Sequence, residues 1–588
     1  MSHRPRPRRV RRVWSAERSR GLARARSGRR LTGLLAAYLL VTGSLGWRLV
    51  TVQVVSAAQY RGLAQRQTHR ELELAPQRGT LYDREGEPLA LSLSAATVYA
   101  HPPALRVSGV DPHQVAAQLG PVLGVASDRL VAELTKDASF VYLGRQLPRQ
   151  IGEHVEALRL PGIGVLEEPV RRYPTGSLAA QLVGFVGVDN VGLSGLEAQY
   201  DPQLSGTPGR LLLEQAPGGL TITGAPRQIR PPVPGTDVVL TIDREIQAAA
   251  ERALADALER YRAKGGSAVV LDVASGEILA LANAPGFDLH RTGEADEYAR
   301  RNRALTDVYE PGSANKVVTA AAALEEGLVR PDQVLSVPDS LAVGSKRFSD
   351  PHAPDTEAMT FAEVIARSSN VGTIKVAQRL GPQRLADYLR AFGYGEPTGV
   401  GFPGETTGTV PPPQQWWDTS LPTIAIGHGV SATLLQMSAA FATIASGGER
   451  VPPTLVRGTL GPDGRLDAAP APERRRVVSP QTARAVADML AGVVTDELGT
   501  GRLAAVPGYT AAGKTGTARK PSQSRRGYEA GAYVASFVGF APADNPALVT
   551  AVMLDEPEPI YAGITAAPVF SEIMAFALPH RRVPPSPT

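Results

Sequence analysis

The sequence predicts a chain tethered to a membrane by one helix and carrying two modules. The first is β-rich and irregular; the second is an α/β domain in which an antiparallel sheet is flanked by helices. Three observations lead there. An arginine-rich arm near the start runs directly into a long uncharged stretch. Short apolar runs broken by proline and glycine come next. After them, apolar residues recur at helical spacing, then in paired strand-length runs, and near the end at helical spacing again.

Composition sets the limits. The chain has 588 residues, 43% hydrophobic and 20% charged, so it is neither disordered throughout nor fibrous nor a many-span membrane protein. Cysteine is absent, which excludes disulfides, thiolate metal sites and cysteine nucleophiles. The nine histidines never come closer than twelve positions, so no helical His pair offers a zinc site. Nothing in the sequence calls for a cofactor or a metal.

The net charge of +5 is unevenly placed. Residues 1–30 hold twelve arginines and a single acid, Glu17, while the rest of the chain is net acidic. Such an arm can bind nucleic acid, but the adjoining stretch points to a membrane instead. Leu31–Trp47 is free of charge, and with Arg48 admitted the stretch reaches Val55. As a helix, 31–55 measures roughly 37 Å against a hydrocarbon core of about 30 Å. Arg48 lies near its far end, where a long side chain can reach the headgroups. The excess of positive charge before the span places the arm, 1–30, in the cytoplasm and everything after about residue 56 outside. A cleaved signal ending near Val55-Ser56-Ala57 is the alternative, but its apolar region is normally shorter.

Residues 56–75 are polar and compatible with a helix. Strand-like runs then occur at Thr97–Ala100, Phe140–Leu143, Gly164–Leu166, Gln181–Val188, Arg210–Glu214 and Thr221–Thr223. Residues 231–236 (PPVPGT) read as a hinge into the second module. There, Asp243–Lys264 has a helical period stopped by Gly265-Gly266. Ser267–Val273 and Glu277–Ala282 form a hairpin around Ala274-Ser275-Gly276. Tyr533–Ala541 and Leu548–Leu554 make a similar pair, and a helix over about Ala566–Ala577 closes the domain. The middle is helical.

Three motifs carry chemistry. Ser313-Ala314-Asn315-Lys316 comes directly after Pro311-Gly312, and Val317, Ala320, Ala321 and Leu324 continue at helical spacing to Gly327. Ser313 therefore opens a helix with Lys316 one turn on and on the same face. Serine needs a base within reach, and an i, i+3 lysine can supply it. A free lysine titrates near about 10.4, so work near neutrality needs about three units of depression, from burial or a second cation. Ser368-Ser369-Asn370 lies between amphipathic stretches at 361–367 and 371–380. Lys514-Thr515-Gly516-Thr517 is the third. Each alone is common and reads blandly as a helix start, a polar turn, and a glycine-bearing turn or strand. Together and in order they form the S-x-x-K, S-x-N, K-T-G set of penicillin-recognising serine enzymes.

On these motifs the chain resembles the class B penicillin-binding proteins, the monofunctional peptidoglycan transpeptidases. The resemblance also covers the R-G-x-x-x-D-R-x-G box at Arg78–Gly86, Arg172-Tyr173-Pro174, Gly192–Glu197 and Leu204-Ser205-Gly206. It implies one N-terminal transmembrane helix (31–55), a β-rich pedestal of dimerisation type (56–232), and an α/β transpeptidase domain (233–580) with a helical subdomain, then a tail (581–588). It implies that Ser313 attacks the penultimate D-Ala carbonyl of a stem peptide and that Lys316 takes its proton. Ser368 and Lys514 would relay a proton to the leaving amine, Asn370 would hold the substrate amide, and Thr515, Gly516 and Thr517 would bind the substrate end. The backbone N–H groups of Ser313 and Thr517 would form the oxyanion hole. An amine of a second stem would resolve the acyl-enzyme, and β-lactams would stall at it. The short stretch from Gly184 to Gly192 and the ending at Thr565–Phe576 resemble division-type, FtsI-like members, with elongation and sporulation roles as alternatives. That type implies a SEDS-family glycan polymerase and bitopic divisome proteins as partners, and no nucleic acid.

Two departures stand out. Ala314-Asn315 replaces the family's usual Thr or Val and a bulkier apolar residue, and Asn315 is expected to loosen the helix start and slow acylation. His428, in Gly427-His428-Gly429, stands where glutamine is common and is read as structural. Two other classes compete. Gly508–Thr515 matches the P-loop pattern G-x-x-x-x-G-K-[ST] literally, with Val552–Glu556 imitating a Walker B strand. No apolar strand leads into it, however, and Gly516 and Pro521 oppose a helix after it. A catalytically weak scaffold or β-lactam sensor of the same fold is the other.

Overall fold

The computed structural model describes residues 16–60, 69–214, 228–350, 356–522 and 527–587. Part of the arginine arm, part of the expected polar helix after the anchor and the Thr221–Thr223 run lie outside the described residues; within that expected helix, at 56–75, His69–Leu74 is instead a strand, paired antiparallel with Gly209–Glu214. A helix spans Ala16–Val50 and continues as a π-helical turn, Thr51–Val55. Over Gly28–Val55 it is long and apolar enough to cross a membrane, and among the described residues its apolar window is covered by nothing. The helix Ala562–His580 passes the same test of length, but 56% of its window is buried, and it belongs to the core of the second domain.

The first module is built on the strand Pro88–Ala100, which pairs antiparallel with Val141–Leu147 on one side and Ile163–Arg172 on the other. Four helices accompany it: Pro102–Ser108, Pro112–Leu123, Ser127–Leu134 and Arg149–Ala157. They enclose a small core of Val98, Leu105, Leu119 and Leu130. A reading by strand-like runs misses these helices for a definite reason. Their prolines look like breaks, yet Pro102, Pro103 and Pro112 occupy the first turns of the first two helices, behind His101 and Asp111, whose side chains accept from the backbone, and Pro121 lies inside the second without ending it. The expected strand at Gln181–Val188 is likewise corrected. Ala180–Val183 is a buried helical turn entered through Ala179 at φ 53° and left at Gly184, and a wholly buried run shows no period to read.

The R-G-x-x-x-D-R-x-G box has a structural use. Arg78 Nε lies 2.6 Å from Glu197 Oε2 and Arg171 Nε 2.7 Å from Glu197 Oε1, with all three side chains excluded from solvent. Arg78 also meets Asp201 at 2.6 Å. Residues 231–236 are no free hinge. Gly235 N–H donates to Gln77 O, Thr236 N–H donates to Gln203 O, and Thr207 and Val233 exchange both backbone bonds. The two modules share a sheet, since Leu81–Tyr82 runs parallel to Asp237–Leu240, which pairs with Val456–Leu460. They also share a core, in which Leu81, Leu182 and Leu196 join Leu271 and Ile278.

The second domain has a five-stranded, wholly antiparallel sheet. Its order is Ile278–Ala284, Gly265–Asp272, Leu548–Asp555, Tyr528–Ala541, Ala512–Pro521. Arg244–Tyr261 and Ala562–His580 cover one face, with Leu254, Phe537, Phe570 and Met574 packed between. The first of these helices is capped by Asp243 and ends at Arg262 in the left-handed region, three residues before Gly265-Gly266, which belong to the sheet. Leu434–Ala445, every residue buried, backs the other face. The helices Lys316–Glu325, Phe361–Ala366, Asn370–Leu380 and Pro480–Thr495 form the helical side of the domain.

Candidate active site

The nucleophile turn is a 3-10 helix, Gly312–Asn315, that runs straight into the helix Lys316–Glu325. Ser313 therefore sits in a tighter turn than the α-helical start expected, and its side chain is half-buried. Two glycines let this turn lie against the K-T-G strand. A Cβ on Gly516 would come within 2.5 Å of Pro311 O, and one on Gly312 within 3.1 Å of Thr517 O. The backbone of Ser313 and that of Thr517 are thereby held next to each other.

Lys316 is completely buried. Its ammonium donates to Ser368 O at 2.6 Å, Ser368 Oγ at 3.2 Å and Asn370 Oδ1 at 2.8 Å, so all three protons have partners on the S-x-N turn. Burial pulls its pKa down to about 7, against the opposing pull of Asp350. Ser368 itself is held at φ 62°, a left-handed conformation that serine rarely adopts. Lys514, also fully buried, is pushed well below the ordinary lysine range by burial and by the charge of Lys316. Both lysines are thus biased toward the free amine, which is what general-base and proton-relay chemistry near neutrality requires.

Lys514, Thr515, Gly516 and Thr517 lie mid-strand in Ala512–Pro521, paired with Val538, Phe537, Ser536 and Ala535. A phosphate cradle needs a helix beginning at the Lys-Thr pair, so this strand overturns the P-loop alternative. Thr515 Oγ1 lies 3.0 Å from Thr500 Oγ1, and Thr517 Oγ1 accepts from Ala562 N–H at 3.3 Å, at the start of the last helix. Among the described residues, Ser313, Lys316, Ser368, Asn370 and Lys514–Thr517 gather where the helical side meets the edge strand of the sheet.

Three residues here escape sequence reasoning. Asp350 caps the S-x-N helix, accepting from Ser369 Oγ at 2.6 Å, Asn370 N–H at 2.5 Å and Val371 N–H at 3.1 Å. Thr500 and Glu310 are the others. Asp350 and Thr500 lie well outside the motifs they touch, and no local spacing marks any of the three. Asn315 is also corrected. It is fully buried and donates to Ile424 O at 2.9 Å, so it pins the turn to the segment behind it rather than loosening it.

The class defined by this arrangement is a serine acyl-transfer enzyme: a nucleophile turn on a helix, two buried lysines, and an edge strand for the substrate. Similarity to known proteins places it further. The family description "Penicillin binding protein transpeptidase domain" matches residues 266–575, and "Penicillin-binding Protein dimerisation domain" matches 73–240. Penicillin-binding protein PbpB of Mycolicibacterium smegmatis is 37% identical over 99% of this chain and 95% of its own length. Peptidoglycan D,D-transpeptidase FtsI of Escherichia coli is 32% identical over 94% and 91%. The crystal structure of apo penicillin-binding protein 3 from Mycobacterium tuberculosis superposes with a TM-score of 0.69 at 35% identity, covering 88% of this chain and 98% of that one. The chain belongs to the class B, FtsI-like penicillin-binding proteins.

Proposed function

We propose that the chain is a membrane-anchored serine D,D-transpeptidase that cross-links peptidoglycan stem peptides, is acylated by β-lactams, and works in septal wall synthesis. The observation that carries the reading is the buried Lys316 amine, depressed to about 7, one turn after Ser313 and bonded to Ser368 and Asn370.

In this scheme Ser313 Oγ attacks the carbonyl of the penultimate D-Ala and passes its proton to Lys316 Nζ as the C–O bond forms. The oxyanion lies between the backbone N–H groups of Ser313 and Thr517. The C–N bond to the terminal D-Ala then breaks, and the leaving amine takes a proton along Lys316, Ser368 and Lys514. Thr515, Gly516 and Thr517 bind the terminal carboxylate end, and Asn370 orients the amide. An amine of a neighbouring stem attacks the ester, forming the cross-link and returning the proton to Ser313. Every step is acyl transfer, so no oxidant, metal or nucleotide is consumed.

The domain division that goes with this function is a cytoplasmic tail at 1–30, an anchor at 31–55, a pedestal at 56–232, the transpeptidase domain at 233–580 and a tail at 581–588. The arm of arginines favours a single-pass topology with the N-terminus in the cytoplasm. A SEDS-family glycan polymerase and bitopic divisome proteins are the partners that fit a septal enzyme with this anchor and pedestal. The test is D-Ala release from a pentapeptide donor by the detergent-solubilised full chain, with and without an acceptor amine. Release that is lost in Ser313→Ala, with amide product when acceptor is present, supports the reading; unchanged release in that variant refutes it.

A further inference from the structure

Three residues before Ser313 lies a carboxylate that the acyl-transfer scheme does not use. Glu310 is buried, at 9% exposure. Its Oε1 accepts from Gly429 N–H at 2.9 Å, and its Oε2 lies 2.7 Å from His428 Nδ1. The Tyr528 hydroxyl donates to the same carboxylate at 3.0 and 3.1 Å. Burial alone would push the carboxyl up, but the hydrogen bonds from His428, Gly429 and Tyr528 hold it below the usual range, so it stays ionised. Its donors come from two other places in the domain: the Gly427-His428-Gly429 turn, and the first residue of the strand Tyr528–Ala541, the partner of the K-T-G strand.

The backbone around Glu310 is tied to the same turn. Tyr309 and Ala432 exchange both backbone bonds, at 3.1 and 3.0 Å, and Gly312 N–H donates to Gly427 O at 3.0 Å. These bonds do not reach the outer end of the K-T-G hairpin. There the Glu310–Tyr528 contact makes a link.

We infer that Glu310 is a positioning residue for acyl transfer: its carboxylate fastens the nucleophile turn to the Gly427–Gly429 turn through His428 and to the K-T-G hairpin through Tyr528, fixing Ser313 relative to the Thr517 N–H. The inference rests on the acyl-transfer function proposed for this site. Charge-assisted bonds are the strong class of hydrogen bond, and three of them on one carboxylate make a stiff joint. A loosened joint leaves the binding strand intact but misplaces the nucleophile, so the loss falls on the bond-forming step rather than on first binding. Against an ionised carboxylate His428 Nδ1 donates, so an asparagine amide in its place keeps the joint, whereas a methyl does not.

The test is stopped-flow acylation of the full chain in detergent by a fluorescent penicillin, resolved into the binding constant and the first-order acylation rate. Glu310→Gln is expected to slow acylation about tenfold or more with binding within about twofold. Tyr528→Phe and His428→Ala each slow it several-fold, with a double variant less than additive because they share one acceptor. His428→Asn, whose Nδ2 takes the place of Nδ1, restores most of the rate. Wild-type acylation rates in Glu310→Gln, or losses confined to binding, overturn the inference. If Glu310→Gln fails to fold, wild-type rates in both Tyr528→Phe and His428→Ala overturn it equally. Failure of the underlying acyl-transfer function looks different: the parent chain itself then takes no label.

Discussion

Lys316 works as a base only where its ammonium is costly, and burial makes it so. That fixes the sign of the pH dependence. The acylating form carries the free amine, so Ser313 acylation by a β-lactam rises as pH increases through about 7 and levels off above it; a rate flat from pH 5 to 9 contradicts this. Asp350 opposes the depression, so Asp350→Asn moves the midpoint to lower pH. The same substitution replaces one of the two acceptor oxygens that hold Ser369, Asn370 and Val371 by a donor, costing about 1 kcal/mol, readable by urea titration. The requirement for a depressed lysine was legible in the sequence, because the chemistry of S-x-x-K demands it. Asp350 was not, since its role exists only once the chain brings it beside the Ser369 helix start.

At the scale of elements, the nucleophile turn depends on close backbone approach. Gly427 has φ +84°, and a Cβ there would lie 1.9 Å from Gly312 O. Gly427→Ala is therefore expected to abolish penicillin labelling while most of the fold remains, checked by labelling beside circular dichroism. The main helices and strands of the second domain were readable because their period or pairing is regular: Arg244–Tyr261 by its apolar spacing, and Gly265–Asp272 with Ile278–Ala284 by two runs around a turn. Three of the four helices of the first module were hidden because they begin at or just after a proline, at Pro102, Pro112 and Pro148, which reads as a break. The 3-10 turn at Ser313 was hidden because its cause lies in contacts with Gly427 and the K-T-G strand, far along the chain.

Over the whole molecule, the modules behave as one body because they share a sheet and a core. The buried Arg78–Glu197–Arg171 group sits beside that junction. Glu197→Ala would remove the carboxylate that two buried guanidinium groups share, leaving Arg78 its Asp201 partner but Arg171 buried without a counter-charge among the described residues, a loss of about 3 kcal/mol. It is expected to lower the unfolding midpoint and open the pedestal to trypsin; parent-like resistance contradicts the assignment. The sequence marked these residues only as a box with family resemblance, because a buried ion group spread over more than a hundred positions has no local pattern.

All three scales meet in one covalent bond, the ester on Ser313 Oγ. The most direct measurement is intact and peptide mass of the full chain after exposure to benzylpenicillin. One adduct of the drug's mass, on the peptide holding Ser313 and absent from Ser313→Ala, is the predicted result. An adduct on another residue, or one that persists in Ser313→Ala, would contradict the assignment of Ser313 as the nucleophile.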